Sequence, residues 1–142
     1  MKATFVVTVV FFSFIFLLIA GMMIMIWTPC KVLRFPEEKY KILTPKVEAG
    51  ECVTYEIYSI KYKRIPGTAS RQLINNYVYD YSPIIGNAMV GENHRKVKLK
   101  LPVFAEPGIY FIRTIYIYKI NIFRTETYVH DTENFLVIPT MK

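Results

Sequence analysis

Several residue types that usually build functional sites are scarce in this chain. Of 142 residues, two are cysteine, two are histidine and six are glycine. Two cysteines cannot form the multi-bridge framework of a small disulfide-stabilised domain. Cys30 and Cys52 could at most form one bridge, stapling the start of the chain's second part to a strand beginning at Cys52. In a reducing compartment they would stay two thiols, because redox context decides the pairing. Neither cysteine stands at the short spacing from a histidine or the other cysteine that zinc sites favour, so no metal or other cofactor is expected. No glycine-rich phosphate loop is present either.

The two histidines also limit the chemistry. Nucleophilic hydrolysis needs Ser or Cys beside a base that an acid orients. Only His94 and His130 could be that base. His130 and Asp131 are neighbours in an extended segment, so their side chains point to opposite faces. His94 stands before a basic strand, where a solvated histidine is the ordinary case. The acids Glu37, Glu38, Glu126, Asp131 and Glu133 fall among exposed polar residues and read as solvated surface. No catalytic residue is assigned, and the expectation is a protein that is not an enzyme.

Charge is absent from Ala3 to Cys30, and Ala3–Trp27 is apolar apart from Thr4, Thr8, Ser13 and Gly21. About 20 such residues in a helix cross the ~30 Å hydrocarbon layer. A cleaved secretory signal has an apolar region of only ~7 to 15 residues and a small-residue cleavage site. Leu18-Ile-Ala-Gly21 fits that pattern poorly, and Trp27-Thr-Pro29 lacks the small residues for lipoprotein processing at Cys30. Residues 1–30 are therefore expected to be an uncleaved signal-anchor that makes the chain a single-span membrane protein. The positive-inside rule weighs Lys2 and the α-amino group against Lys31, Arg34, Lys39, Lys41 and Lys46, which favours a cytoplasmic domain. A short basic start, a long apolar run and then a domain is the layout of an exporting signal-anchor, and an extracytoplasmic domain is the expectation adopted.

The chain beyond the apolar run is rich in strand formers. Residues 31–46 mix charge with Pro36 and Pro45 and read as a connector with at most a short edge strand. The domain proper is expected over 47–142, about 95 residues, which suits an immunoglobulin-like antiparallel β-sandwich. Glu48-Ala-Gly50-Glu51 is a turn signal that opens an alternating strand from Cys52 to Arg64. Pro66-Gly67 closes it, and a further strand is expected from Leu73 to Tyr81 with Tyr77, Tyr79 and Tyr81 on one face. Residues 82–93 read as a loop. Lys96, Lys98 and Lys100 then interleave with Val97, Leu99 and Leu101, giving one basic and one aliphatic face. Ile109–Ile120 is apolar on nearly both faces, as a central strand covered on both sides would be. Pro107-Gly-Ile-Tyr110 is similar to the tyrosine corner of such sandwiches. A last strand or strand pair is expected from Glu126 to Pro139. No window carries a sustained helical period with caps.

The formal charge is +7; without Lys2, 17 basic residues stand against all eleven acidic ones, leaving +6 on the part after the span. A basic domain is suited to anionic surfaces or an acidic partner. The residues named for such contact are Arg95, Lys96, Lys98 and Lys100, with Lys61, Lys63 and Arg64. The competing reading is a solvent face whose lysines block edge-to-edge aggregation. Single-stranded nucleic acid could stack on Tyr77, Tyr79 and Tyr81, but tyrosines are also ordinary sandwich core and a membrane anchor weighs against it.

The stretch Thr68-Ala-Ser-Arg-Gln-Leu-Ile-Asn-Asn-Tyr-Val-Tyr79 carries a family resemblance, together with Pro107-Gly-Ile-Tyr110, Asn121-Ile-Phe-Arg-Thr125 and Thr132-Glu-Asn-Phe-Leu-Val137. With these segments the chain resembles a group of small phage-encoded proteins with an N-terminal membrane segment and a β-sandwich. The resemblance implies a viral gene product acting at a bacterial envelope, with an exported domain, and it supplies no catalytic residue. It leaves two roles as expectations. One is a membrane-tethered interaction module making protein or envelope contacts. The other is a phage structural or regulatory membrane protein that self-associates or alters the host envelope.

Overall fold

The computed structural model describes residues 2–86 and 88–140, so the expected limits at Met1 and Lys142 lie outside the described residues. The uncharged run forms one helix, α1 (Lys2–Trp27). From Thr4 to Trp27 it is long and apolar enough to cross a membrane, and none of that stretch is buried against the rest of the chain. Its apolar side chains are distributed on every side.

The remaining chain is mostly β-sheet. Its strands are β1 (Leu33–Arg34), β2 (Lys41–Ile42), β3 (Lys46–Glu48), β4 (Cys52–Lys61), β5 (Gly67–Ile74), β6 (Val78–Gly86), β7 (Gly91–Lys100), β8 (Gly108–Asn121), β9 (Arg124–Asp131) and β10 (Phe135–Ile138). In the first sheet β4 is central, flanked by β7 on one side and by β1 and β2 on the other. In the second, β8 is central, flanked by β5 and then β6 on one side, and by β9 and β10 on the other. Residues of both sheets share the larger of two buried clusters, in which Val53, Tyr55 and Ile57 of β4 meet Leu73, Tyr110 and Ile112, and a second cluster joins Val32 and Leu33 to Ala69, Tyr116 and Tyr118.

β8 is central in its sheet but is not covered on both sides as expected: Tyr110, Ile112, Thr114, Tyr116 and Tyr118 are buried on one face, whereas Ile109, Ile117 and Lys119 on the other are exposed. The alternation in β4 and β7 likewise gives each a more buried and a solvent side. Tyr110 begins β8 and donates its hydroxyl to the Glu106 carbonyl at 2.9 Å, which forms the expected corner. The Glu48–Glu51 turn is also present, with Gly50 at φ +85°. Gly67 serves close packing, since a Cβ there would stand 2.3 Å from the Tyr118 ring.

Four further expectations need correction. Residues 31–46 are not a connector: they supply β1, β2 and the start of β3, and Val32, Leu33, Tyr40 and Ile42 are buried in the core. The pairing is not wholly antiparallel, because β3 runs parallel to β10 and Tyr40 makes a parallel bridge to Thr132. The strand expected over Leu73–Tyr81 is a hairpin, with β5 and β6 turning through Asn75–Tyr77. Part of the expected loop 82–93 is strand as well. β6 runs through Pro83 to Gly86 on the sheet's edge, and Pro83 falls at the bulge between Ala69 and Arg71, where a missing N–H breaks no ladder bond.

Candidate functional site

Strand register builds a basic outer face on the first sheet. Along β7, Lys96, Lys98 and Lys100 lie opposite Glu56, Thr54 and Cys52 of β4, with all three lysines exposed. On the other side of β4, Lys41 of β2 also lies opposite Glu56, and Arg34 of β1 lies opposite Ile60. Glu92 faces Ile60 from β7. Four lysines and one arginine thus share this face with two glutamates, a net of three positive charges.

Glu56 organises the centre. Its carboxylate stands 3.9 Å from Lys96 Nζ and 3.7 Å from His94 Nε2. These are exposed contacts of small worth, but they hold Lys96 toward β4. Among the described residues Lys98 and Lys100 form no ion pair. They are two exposed cations, two residues apart on one strand, that neutralise no neighbouring acid.

Other residues expected on this surface lie elsewhere. Arg95 belongs to the opposite face of β7, in register with buried Ile57, and it lines a small cleft of 120 Å³ with Ser59, Asn93, Tyr116 and Tyr118. Lys61 is buried at the end of β4: its ammonium has no hydrogen-bond partner and stands 5.4 Å from the Tyr118 ring centre. Burial lowers its pKa, because the ammonium gives up water without gaining an anion. Lys63 is exposed, but its Nζ reaches the Cys30 sulfur at 3.2 Å, beside the helix junction, and Arg64 lies beyond β4 in a cleft with Ala88, Met89 and Val90; neither belongs to the lysine face.

Both cysteines are free. Cys30 lies by Lys63, past the last residue of β4, and Cys52 is the first residue of that ten-residue strand. At ~3.3 Å per residue they are roughly 30 Å apart. A bridge requires Cα atoms within about 7 Å, so the expected staple between Cys30 and Cys52 is ruled out within one chain.

The three tyrosines do not form one stacking platform. Tyr77 is exposed in the β5–β6 turn, whereas Tyr79 and Tyr81 point inward and pack against the core. They belong to the other sheet from the lysines, although Tyr81 donates its hydroxyl to the Lys100 carbonyl at 3.0 Å. Burial pushes the Tyr81 phenol up to about 12.

The interior holds a polar cluster that alternation alone conceals. The Tyr40 and Tyr116 hydroxyls bond each other at 2.9 Å. Burial raises the pKa of Tyr116 most, while the Tyr40 bond and the Arg95 guanidinium oppose the rise. His130 is buried beside them, stacked on Phe35 at 4.2 Å and edge-on to Tyr40 at 4.2 Å. Asp131 points to the other face, where Arg113 grips both its oxygens at 2.9 Å. Among the described residues no three His, Cys, Asp or Glu side chains converge as a metal site would require.

The sequence matches no family model, and no curated protein matches it. Among solved structures, the chain is similar at 13% identity to the CARDB domain of a Pyrococcus furiosus protein, solved in complex with di-metal ions. The match covers 78% of this chain and 95% of that one, with a TM-score of 0.41. A β-glucosidase from Listeria innocua, solved with glucose and, as a mutant, with laminaribiose, matches at 11% identity and a TM-score of 0.37. There the match covers 75% of this chain but only 16% of the enzyme. Scores this low carry neither fold nor function across.

Proposed function

We propose that this protein is a single-pass, membrane-tethered, immunoglobulin-like interaction module. It is non-catalytic, displays its domain on the extracytoplasmic side, and meets an anionic partner or envelope surface with the outer face of its first sheet. The observation that carries the reading is α1: 24 residues from Thr4 to Trp27, none of them buried against the domain. A helix apolar on every side is costly in water and at home in a bilayer. In support of the immunoglobulin-like assignment, residues of both sheets share the larger buried cluster, and a tyrosine corner at Tyr110 opens the central strand. The partner chemistry rests on Lys41, Lys96, Lys98 and Lys100, gathered on one exposed surface.

The test has two steps. After an alkaline carbonate wash of membranes the protein stays in the pellet; release into the wash overturns the tether. In intact cells an impermeant maleimide labels exposed Cys52 without prior reduction. Labelling only after the inner membrane is broken places the domain in the cytoplasm. For the basic face, K96Q/K98Q/K100Q weakens binding of the full chain to an anionic polymer such as heparin and flattens its salt dependence. Unchanged binding removes that surface as the contact.

A further inference from the structure

We infer that the tip of the β8–β9 hairpin is a second membrane contact, with Ile122 and Phe123 seated in the headgroup and upper acyl region of the phospholipid leaflet from which α1 emerges. This inference rests on the reading of α1 as a membrane tether and adds the domain's own lipid-facing element to it.

The position of the hairpin comes from its bonds to the helix. The last carbonyls of a helix have no partner within it. Thr28 takes up the Ile24 carbonyl through its backbone N–H at 2.9 Å. The next acceptors are met by the hairpin: Asn121 donates its amide N–H to the Met25 carbonyl at 3.3 Å, and Arg124 donates to the Ile26 carbonyl at 3.3 Å and to that of Thr28. At 1.5 Å of rise per residue, Met25 lies about 3 Å below the helix end at Trp27. The two residues between Asn121 and Arg124 therefore stand level with the last apolar turn of α1.

Those two residues are Ile122, 80% exposed, and Phe123, 49% exposed. Beside the end of a spanning helix they have a ready apolar medium. The turn is also prepared for it, because Phe123 donates its backbone N–H to the Asn121 side-chain oxygen at 2.9 Å. Backbone that enters lipid needs its polar groups satisfied from within the protein. The guanidinium of Arg124 is neutralised by Glu126, whose Oε1 accepts from Nε at 2.7 Å. An ion pair held at this level confines the tip to the interface and keeps it from sinking to the bilayer centre. Around the junction stand Lys31, Lys63 and Lys119, all exposed, and Trp27, 76% exposed. Cations facing phosphates with an aromatic ring at headgroup level are the usual furniture of that layer.

The test uses the full chain in vesicles of phosphatidylcholine and phosphatidylglycerol, some bearing bromine high on the acyl chains. Trp27 is the only tryptophan, so the unmodified protein reports on the helix end alone. A Trp27→Phe, Phe123→Trp protein reports on the hairpin tip. The expected result is bromine quenching and blue-shifted emission from both proteins. Quenching of Trp27 with red-shifted, iodide-accessible, unquenched emission from the tryptophan at 123 overturns this inference and leaves the tether intact. No bromine quenching of Trp27 overturns both. Trp27→Phe, Ile122→Trp repeats the measurement at the more exposed position, where a larger ring displaces no packed neighbour.

Discussion

Tyr110 hangs from the main-chain carbonyl of Glu106 by its hydroxyl, at 2.9 Å, while its ring is fully buried against Phe135. One side chain thereby fixes both the loop before β8 and the seam between β8 and β10. Removing the hydroxyl alone leaves the ring packed and orphans one carbonyl at the loop. Tyr110→Phe is expected to cost about 1 kcal/mol. In a urea titration the midpoint should fall with the slope unchanged.

Lys61 is the one fully buried ammonium among the described residues, with the Tyr118 ring as its only compensation. Methionine fills the same volume with no charge to desolvate. Lys61→Met is expected to stabilise the domain by about 1 kcal/mol, and Lys61→Glu, which buries an equally unpaired anion, to destabilise it. A lower denaturation midpoint for the methionine variant would contradict this account of the site.

His130 supplies a pH dependence. Burial lowers its pKa below the ordinary 6.5, and Asp131 and Glu37 only partly oppose that shift. The unfolded chain therefore takes up a proton near pH 6.5, while the folded chain holds the ring neutral to a lower pH. In that window the unfolded state binds more protons, so stability falls as pH drops below 6.5. Thermal melts between pH 7.5 and pH 5 should show this decline, and His130→Phe should flatten it while keeping the stack on Phe35.

The local elements were legible where alternation is strict. Val53, Tyr55 and Ile57, and likewise Val97 and Leu99, declare a buried face without help from the rest of the chain. The same parity runs on to Lys61 in β4 and back to Arg95 in β7, so both could have been assigned to the inner face had it been followed through their charge, Lys61 buried there and Arg95 exposed at its rim. The β5–β6 hairpin was hidden because Asn75-Asn76 is a short signal between two runs of equally strand-like residues.

Residues 31–46 were misread for a different reason. Pro36, Glu37, Glu38 and Lys39 have the composition of exposed chain, and the segment carries no long alternation of its own. Tyr40 is held by its bridge to Thr132 and buried among Phe35, Tyr55 and His130, and Leu33 is held by Lys61 and buried in a cluster with Ala69, Tyr116 and Tyr118; Phe35 apart, these partners are distant in sequence. The basic face was half visible for the same cause: β7 announced its lysines, whereas Lys41 and Arg34 join them only through pairing with β4. The seating of α1 on Asn121 and Arg124 joins residues almost a hundred positions apart and had no local signal.

The parallel pairing of Lys46–Glu48 with Leu136–Ile138 carries a consequence for the order of events in the cell. On the proposed tether, synthesis delivers α1 to the membrane first and β3 soon after, yet β3 has no strand to lie against until β10 has been made. Contacts of such long sequence separation form late and slowly. On that reading the domain finishes folding while already leashed to the bilayer, with β3 waiting at the surface for β10.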